Sequence, residues 1–391
     1  MQEAYIVAGL RTPVGKAPRG SLRFVRPDDL AVDLLGQLMA TLPQLDPSRV
    51  EDLIVGNAVP EAEQGLQIGR MISVRAFPVT TAGVTVNRYC ASGVETIAIA
   101  TAKIRSGMAD CIIAGGVESM SLVPTVGWRT VLNYETAKTH PDYYIGMGLT
   151  AENVAKEFKV SREDADEFAF HSHQKAINAI DQGYFSSGIA PVEVREVYVN
   201  EQGKRAERSY TVDTDDGPRR DTNREALAKL KPVFAARGVV TAGNASQTSD
   251  GAAFVVVMSE RMVKELNLQP IARMVSCASV GVEPRIMGIG PVAAIPKALQ
   301  QAGLTLNDID LIELNEAFAC QALAVIREAG LDPEKVNING GGVALGHPLG
   351  CTGTKLTVQI MNDLKRLDKK YGMVTACVGG GQGIAGVYER I

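Results

Sequence analysis

The sequence predicts an α/β fold made of two duplicated halves. Short apolar, β-like runs alternate with helical patterns in the first hundred or so residues, as in layered α/β domains with largely parallel strands. Three motifs then recur in the same order in the last third, roughly 250–260 residues later, which indicates a duplication. They pair Asp52–Asn57 with Asp310–Asn315, Val86-Asn87 with Val336-Asn337, and Asp110–Gly116 with Gly372–Gly381. A chance recurrence of common strand patterns is the alternative.

The first half contains four predicted strands and two predicted helices. The helix that opens at Asp28 carries acidic residues in its first turn, where the helix dipole favours them. The helix from Ser92 to Ser106 is rich in alanine and isoleucine. The strands are predicted at Ala4–Gly9, Asp52–Asn57, Gly83–Asn87 and Cys111–Gly116.

The middle of the chain has a different texture. It holds the only tryptophan, clustered polar turns and a predicted helix from Ser161 to Gln182 that opens with a capping-box-like sequence. An apolar strand at 250–258 then returns to the pattern of the first half. We therefore predict an N-terminal half at 1–117 and 249–269, an inserted loop subdomain at 118–248, and a C-terminal half at 270–391.

Bulk properties exclude several classes of protein. The net charge of −4 over 391 residues gives no global field that favours nucleic acid. No apolar run approaches the length of a membrane span, and because the N-terminus goes directly into a strand-like run, we do not expect a secretory signal. The six cysteines are scattered without a CxxC pair, so a metal site is not expected, and reduced thiols fit a cytoplasmic location.

A glycine-rich segment at 339–353 surrounds His347, one of only four histidines. Glycine permits backbone conformations and close approaches that a Cβ forbids. The segment lies just before a predicted helix at Thr354–Leu367, and we interpret His347 as a positioned reactive side chain. A tight connection with a packed histidine is the alternative.

Two cysteines lie at places where chemistry is expected. Cys90 is at a strand-to-helix junction, where unpaired N–H groups and the helix dipole stabilise a thiolate; a buried structural cysteine is the competing interpretation. Cys377 ends a strand before a glycine-rich turn. Asn315 also ends a strand, before a predicted helix at Ala317–Ala329, and its position alone favours an ordinary N-cap over an oxyanion donor.

Together these segments resemble the four signatures of the thiolases: VNRYCASG around Cys90, NEAFA from Asn315, GGGVALGHPLGCTG around His347 and CVGGGQG from Cys377. The resemblance runs from Ile6 to the C-terminus in a consistent order. It implies the thiolase fold, in which the two halves form αβαβα layers.

The resemblance also implies roles for the residues. Cys90 would attack a 3-oxoacyl thioester and hold the acyl group, and His347 would accept the thiol proton. Cys377 would exchange protons with the α-carbon of acetyl-CoA or with the incoming CoA thiol. Asn315 would hold a water that stabilises one oxyanion with His347, and the N–H groups of Cys90 and Gly379 would form a second oxyanion hole.

The basic run at 219–237, with six basic and two acidic residues, corresponds in this family to the CoA-binding loop. No cofactor is implied, since CoA is a substrate. A solvated helix face is the alternative for any one residue of the run. By motif match the CoA and acyl site would be lined by Arg219, Leu230, Phe234, Ala242, Ser246, Met147 and Phe318.

Related activities remain open at this stage. Decarboxylating condensing enzymes use a second histidine or an asparagine where Cys377 stands, and a non-catalytic lipid carrier would be expected to lose the nucleophile. Segments 246–250 and 287–291 favour a degradative 3-ketoacyl-CoA thiolase of fatty acid β-oxidation over a biosynthetic acetoacetyl-CoA thiolase. The family also implies a homodimer through 83–87 and the helix after Cys90, with a homotetramer as the alternative. The effect of Arg88-Tyr89 on the acyl pocket is left open.

Overall fold

The computed structural model describes residues 2–391. The strands are β1 Ala4–Arg11, β2 Gly15–Lys16, β3 Asp52–Gly56, β4 Ala82–Val86, β5 Cys111–Ser119, β6 Val192–Val199, β7 Arg205–Val212, β8 Ser249–Ser259, β9 Ala272–Gly281, β10 Leu311–Leu314, β11 Tyr371–Val378 and β12 Gln382–Arg390. The helices are α1 Pro27–Ala40, α2 Ile68–Ala76, α3 Ser92–Arg105, α4 Tyr134–Thr139, α5 Met147–Glu157, α6 Arg162–Asp181, α7 Arg224–Ala228, α8 Glu260–Glu265, α9 Gly290–Ala302, α10 Ala319–Glu328, α11 Gly342–Leu345 and α12 Leu349–Arg366.

The main sheet is symmetric in its connections. Its order is β10-β11-β12-β9-β1-β8-β5-β3-β4, with β2 paired to β8. Outward from the junction of β9 and β1, one half runs β1-β8-β5-β3-β4 and the other runs β9-β12-β11-β10. Where β4 pairs with β3 in the first half, an isolated parallel bridge joins Val336 to Ile312 in the second. The predicted duplication is confirmed.

Three apolar clusters form the layers. The first buries α1 and α2 on one face of the N-terminal strands, and Leu30, Leu34 and Leu38 of α1 follow the spacing of one helix face. The second buries α9 and α10 against the C-terminal strands. The third lies between the halves and joins α3 and α12 to strands of both. Fourteen of the 18 residues of α12 are buried, as expected of a central helix. The αβαβα arrangement is therefore confirmed.

Segment 120–248 contributes helices α4 to α7 and the two-stranded sheet of β6 and β7. The predicted cap of its long helix is confirmed, since the Ser161 hydroxyl accepts the Asp164 N–H at 3.0 Å. Within residues 2–391, every helix is too short or too polar to cross a membrane.

Two predicted helix boundaries were wrong. The helix predicted at Ala317–Ala329 begins at Ala319 and has Phe318 at its N-cap position, so Asn315 is not an N-cap. The helix predicted to start at Thr354 already begins at Leu349. The loop before α10 is therefore two residues longer than predicted, and the loop before α12 is five residues shorter.

Candidate active site

Cys90 lies in a short 3-10 turn, Tyr89–Ala91, between β4 and α3. Tyr89 has a φ of 44°, in the left-handed region that a bulky residue rarely adopts. Two hydrogen bonds hold the turn: the Asn87 side-chain oxygen accepts the Tyr89 N–H at 2.9 Å, and the Ser92 hydroxyl donates to the Tyr89 carbonyl at 2.7 Å. The cysteine side chain is thereby fixed at the end of the strand.

The resting state of Cys90 is a neutral thiol. Burial raises its pKa to about 12, although the backbone N–H groups of Gly379 and of Cys90 itself act in the opposite direction. The sequence argument for a stabilised thiolate at a helix N-terminus therefore does not describe this resting site, because desolvation outweighs the local N–H groups. A nucleophile of this kind needs a base that removes its proton.

His347 is held on both ring nitrogens. Its Nδ1 lies 2.6 Å from the Thr352 hydroxyl, and that hydroxyl donates to the Pro348 carbonyl at 3.0 Å. The hydroxyl therefore accepts a hydrogen bond from Nδ1–H, which leaves the Nε2 lone pair exposed to the site. The side-chain nitrogen of Asn315, which is a hydrogen-bond donor, lies 3.3 Å from Nε2 of His347.

The imidazole of His347 is neutral in its buried position. Burial, with a smaller contribution from the Lys355 ammonium, lowers the pKa of His347 to about 3. The His347 backbone N–H also donates to the Ser249 hydroxyl at 3.1 Å, which anchors the glycine-rich loop to β8. A neutral imidazole whose Nε2 carries no proton is the form that accepts one.

Asn315 follows β10 directly and is fully buried. Its side-chain oxygen has no hydrogen-bond partner within residues 2–391. A buried amide oxygen without a partner is costly unless a water or a ligand satisfies it. The carbonyl of Asn315 thus fits an ordered water beside His347.

Cys377 lies in an apolar cluster with Met287 and Ala317, against Met147 and Phe318. Its pKa is raised far above that of an ordinary thiol, first by burial and then by the neighbouring Cys90. The glycine turn after it includes left-handed residues at Gly380 and Gly381. Gly379 itself needs no such freedom, because a Cβ there would lie in ordinary contact, 3.5 Å from the Tyr89 ring.

The site residues therefore fall into two groups. One contains Cys90, Cys377 and Gly379, and the other contains His347 and Asn315. Residues 2–391 contain no direct hydrogen bond between Cys90 and His347. The start of α12, which follows His347, packs against the turn of Cys90. The approach is close, since a Cβ on Gly93 would lie 2.5 Å from the Thr354 nitrogen.

A cavity of about 380 Å³ opens beside the His347 loop. Four residues predicted for the CoA site line it: Arg219, Leu230, Ala242 and Ser246. The other three predicted residues lie outside its lining. Met147 and Phe318 contact the cluster of Cys377, and the Phe234 ring packs edge-on against Phe318 with centroids 6.4 Å apart. The predicted set thus divides into a cavity group and a group beside the cysteines.

The sequence reasoning missed other residues of this cavity, including Lys16, His173, Gln247 and Val343. The His173 Nδ1 accepts the Arg219 N–H at 3.2 Å. Burial, followed by the charges of Arg219 and Lys16, lowers the pKa of His173 to about 4. The two cations at this cavity suit an anionic ligand. In the sequence, Lys16 is marked only by its position next to Gly15, shortly after β1.

No group of three or more histidine, cysteine, aspartate or glutamate side chains among residues 2–391 is arranged to hold a metal ion. The Cys–His–Cys set instead has the chemistry of acyl transfer: a nucleophilic thiol, a neutral base and a second thiol.

Comparisons with known proteins agree with this geometry. The "Thiolase, N-terminal domain" family matches residues 4–261 and the "Thiolase, C-terminal domain" family matches residues 268–390. The chain is 52% identical to the 3-ketoacyl-CoA thiolase of Bacillus subtilis (strain 168) over 390 residues, covering 100% of both chains.

Solved structures show the same relation. The acetyl-CoA acetyltransferase of Bacillus anthracis superposes with a TM-score of 0.90 at 40% identity, covering 100% of this chain and 99% of that one. Human mitochondrial 3-ketoacyl-CoA thiolase superposes with a TM-score of 0.89 at 38% identity and the same coverage.

Proposed function

This chain belongs to the thiolase family of acyltransferases, and we propose that it cleaves 3-ketoacyl-CoA with CoA to give acetyl-CoA and a shortened acyl-CoA. The observation that carries the proposal is the position of Cys90, beside both Cys377 and the Gly379 N–H, in a fold whose other half presents a neutral His347. Each group has a role in one two-step reaction.

In the first step His347 Nε2 takes the Cys90 proton and the sulfur attacks the 3-keto carbon. The bond between the α-carbon and that carbon then breaks, and its electron pair goes to the α-carbon of the departing acetyl-CoA. Cys377 gives its proton to that carbon. Burial of both thiols keeps them protonated until the base acts.

In the second step the thiol of a second CoA loses its proton to Cys377. Its sulfur attacks the acyl thioester on Cys90, and the Cys90 sulfur leaves and regains a proton from His347. The site ends in its starting protonation state, so the reaction uses CoA as a substrate and needs no cofactor.

Two groups of donors fit the oxyanions of these steps. The backbone N–H groups of Gly379 and Cys90 act against burial in setting the pKa of Cys90, and they are the donors proposed for an oxygen on the attacked carbon. On the other side, the unpartnered Asn315 oxygen suits a water that, with His347, donates to the second thioester oxygen. The cavity with Lys16 and Arg219 suits the phosphates of CoA.

The direction and chain length of the reaction are part of the proposal. Segments 246–250 and 287–291 and the short segment between Leu122 and Met147 support degradation of 3-ketoacyl-CoA of various lengths, as in fatty acid β-oxidation. The B. subtilis relative carries the corresponding name. Condensation of two acetyl-CoA is the second candidate, supported by the B. anthracis structure.

We further propose a cytoplasmic homodimer. β4 is the last strand of the sheet, and Val84 at its centre is 37% exposed. A second copy that covered this edge would satisfy its free backbone groups. A mass measured by light scattering at twice that of the chain would support the dimer, and a mass of four chains would support the tetramer instead.

Thiolysis assays with 3-ketoacyl-CoA substrates of four to sixteen carbons test the reaction. We expect cleavage across this range and a loss of about 10⁴-fold or more in kcat for Cys90→Ala. Unchanged activity in that variant would refute the role of Cys90, and activity confined to the four-carbon substrate would favour the biosynthetic alternative.

A further inference from the structure

The side chain of Arg88 joins three separate elements next to the nucleophile. Its Nε and one terminal nitrogen donate to the two carboxylate oxygens of Glu95, at 2.8 and 3.1 Å. Its other terminal nitrogen donates to the side-chain oxygen of Gln382 at 2.9 Å. Arg88 directly precedes the turn of Cys90, Glu95 lies in the first turn of α3, and Gln382 is the first residue of β12. One guanidinium thus links the two halves of the chain.

The contact with Glu95 fixes the direction of the guanidinium. A planar guanidinium that donates to both oxygens of a carboxylate has a set orientation, so its remaining nitrogen is aimed at one place. Glu95 is itself placed by α3, and it accepts the Ser279 hydroxyl of β9 at 3.4 Å. The side chains of Arg88 and Glu95 are 31% and 20% exposed, so the pair is partly shielded from solvent. Gln382 therefore meets a donor whose position is set by other contacts.

Gln382 ends the glycine turn that contains Gly379. It pairs with Val378 across the turn, and the three glycines between them have no side chains that could hold their position. The backbone of Gln382 is packed closely, because a Cβ on Gly290 would lie 2.2 Å from the Gln382 carbonyl oxygen. Its side chain is thus an anchored point, three residues after Gly379, at which Arg88 ties the nucleophile turn to the glycine turn.

The glycine turn and the turn of Cys90 lie against each other. β11, which leads into the glycine turn, contacts the turn of Cys90, and a Cβ on Gly379 would lie 3.5 Å from the Tyr89 ring. A second ring, that of Tyr143, lies 2.9 Å from the place of a Cβ on Gly380. The proposed reaction needs the N–H groups of Cys90 and Gly379 on one oxygen, so the spacing of the two turns has to be kept.

We propose that Arg88 is a positioning residue for the oxyanion site of this enzyme. Its hydrogen bond to Gln382 holds the glycine turn against the turn of Cys90, so that the N–H groups of Cys90 and Gly379 face the same oxygen. Arg88 touches no reacting atom in this role and acts through the two backbones. This inference rests on the proposed thiolysis, and it gives a role to the first residue of the Arg88-Tyr89 pair.

The main test measures Arg88→Met and Gln382→Met with the four-carbon 3-ketoacyl-CoA, which both candidate directions of the reaction share. We expect kcat to fall about 30-fold for Arg88→Met, the order of loss caused by a displaced oxyanion donor. For Gln382→Met we expect about tenfold, because Glu95 still holds the arginine. KM for CoA should change less than about twofold, since Lys16 and Arg219 line a cavity that includes neither substituted residue.

A double variant and a conservative variant separate positioning from general damage. If the two side chains act through one hydrogen bond, Arg88→Met/Gln382→Met should have the kcat of Arg88→Met alone. Gln382→Glu keeps an oxygen opposite the guanidinium and should retain kcat within about twofold. Arg105→Met is the matched control, because Arg105 also lies on α3, bonds Glu3 and the Met274 carbonyl, and is 26% exposed. Its urea midpoint should fall about as much as that of Arg88→Met, with kcat unchanged.

The reactivity of Cys90 provides a readout that needs no substrate. The Gly379 N–H acts to lower the pKa of the Cys90 thiol. Displacement of that N–H in Arg88→Met should therefore raise the pKa and slow alkylation by iodoacetamide about threefold at a pH of about 8. Mass spectrometry of the peptide that contains Cys90 measures the rate, and Arg105→Met should match the unmodified enzyme.

An unchanged kcat in both single variants would overturn the inference, as would losses that multiply in the double variant. An equal fall of kcat in Arg105→Met would also overturn it, since the loss would then come from stability. If the unmodified enzyme failed to cleave the substrate, the proposed thiolysis would be refuted and the alkylation rates would decide the role of Arg88. Slower alkylation in Arg88→Met supports that role, and an unchanged or faster rate contradicts it.

Discussion

The two halves of the molecule place different residues at the same position of the same fold. Leu53 of β3 pairs with Ile113 of β5, and Leu311 of β10 pairs with Gly372 of β11. Five residues after Ile113 the first half has Glu118, and five residues after Gly372 the second half has Cys377. The asparagines that follow β3 and β10, Asn57 and Asn315, correspond in the same way.

The first half uses this position for structure. The Glu118 carboxylate accepts the backbone N–H groups of Ala58 and Gly350, both at 2.8 Å, and the side-chain amide of Gln64 at 2.8 Å. Gly350 opens α12 of the other half, so the carboxylate joins the two halves beneath the site. The Asn57 amide donates to the Val117 carbonyl at 2.9 Å, although its side-chain oxygen, like that of Asn315, has no partner within residues 2–391.

The second half leaves the equivalent groups free for chemistry. Cys377 has no side-chain hydrogen bond within residues 2–391, and Asn315 directs its amide to His347. The comparison shows that duplication gives a symmetric frame in which the Glu118 position is satisfied by internal hydrogen bonds and the equivalent Cys377 position is not. The following experiments test that division of roles.

The largest difference is expected for Cys377→Ala. Loss of the proton exchange should lower kcat for thiolysis by about 10³-fold, while the small change in an apolar cluster leaves the urea unfolding midpoint nearly constant. Steady-state kinetics and urea titration on the same preparation check both. A variant that unfolds early but retains its kcat would reverse the assignment of this position.

Glu118→Gln should show the opposite pattern. The groups around Glu118 are all donors, so an amide places an N–H group against a backbone N–H and leaves it unsatisfied, although burial raises the pKa of the carboxyl. We expect a loss of about 2 kcal/mol in the free energy of unfolding. Equal stability of the variant and the parent in urea would show that the carboxylate does not join the halves.

Thr352→Val tests how the second half holds its base. The valine has nearly the same shape but cannot accept the Nδ1–H of His347, so the ring loses its fixed tautomer. We expect kcat to fall about tenfold, and Thr352→Ser, which keeps the hydroxyl, should restore most of it. Identical values for the valine and serine variants would exclude tautomer control.

The smallest effect is expected from pH. His347 has a pKa lowered to about 3 and Cys90 a pKa raised to about 12, so the base stays neutral and the nucleophile stays protonated across the working range. Activity should therefore fall as the pH is lowered only when acid protonates His347, well below pH 5. We expect kcat/KM to change less than about twofold between pH 6 and 8. An acid limb with a midpoint near 6.5 would contradict a desolvated base.

Much of the site could be read from the sequence because it lies in loops with unusual composition. The glycines around His347 and after Cys377 marked both loops, and the repeated strands predicted the duplicated frame that carries them. The roles of Cys90, Cys377 and Asn315, however, came from the resemblance to thiolases. The residues alone favoured an N-cap for Asn315, and the structure excludes that interpretation because α10 begins at Ala319.

Other features depended on contacts between distant segments. Lys16 and His173 line the cavity proposed for CoA together with Arg219, yet they lie some 45 to 200 residues from Arg219 in the chain. Tyr143 carried no recognisable signal, since only the fold brings it to Gly380. Local patterns cannot report such approaches, because they arise when separate elements pack together.

By itself, the sequence determined the alternation of strands and helices, the duplication and the family signatures, because each is a local pattern of residue types. The tertiary structure decided the state of the groups. Burial, which no local pattern specifies, makes Cys90 a neutral thiol and His347 a neutral imidazole. Packing of α12 against α3 and against the turn of Cys90 joins the two halves, and His347 lies two residues before α12.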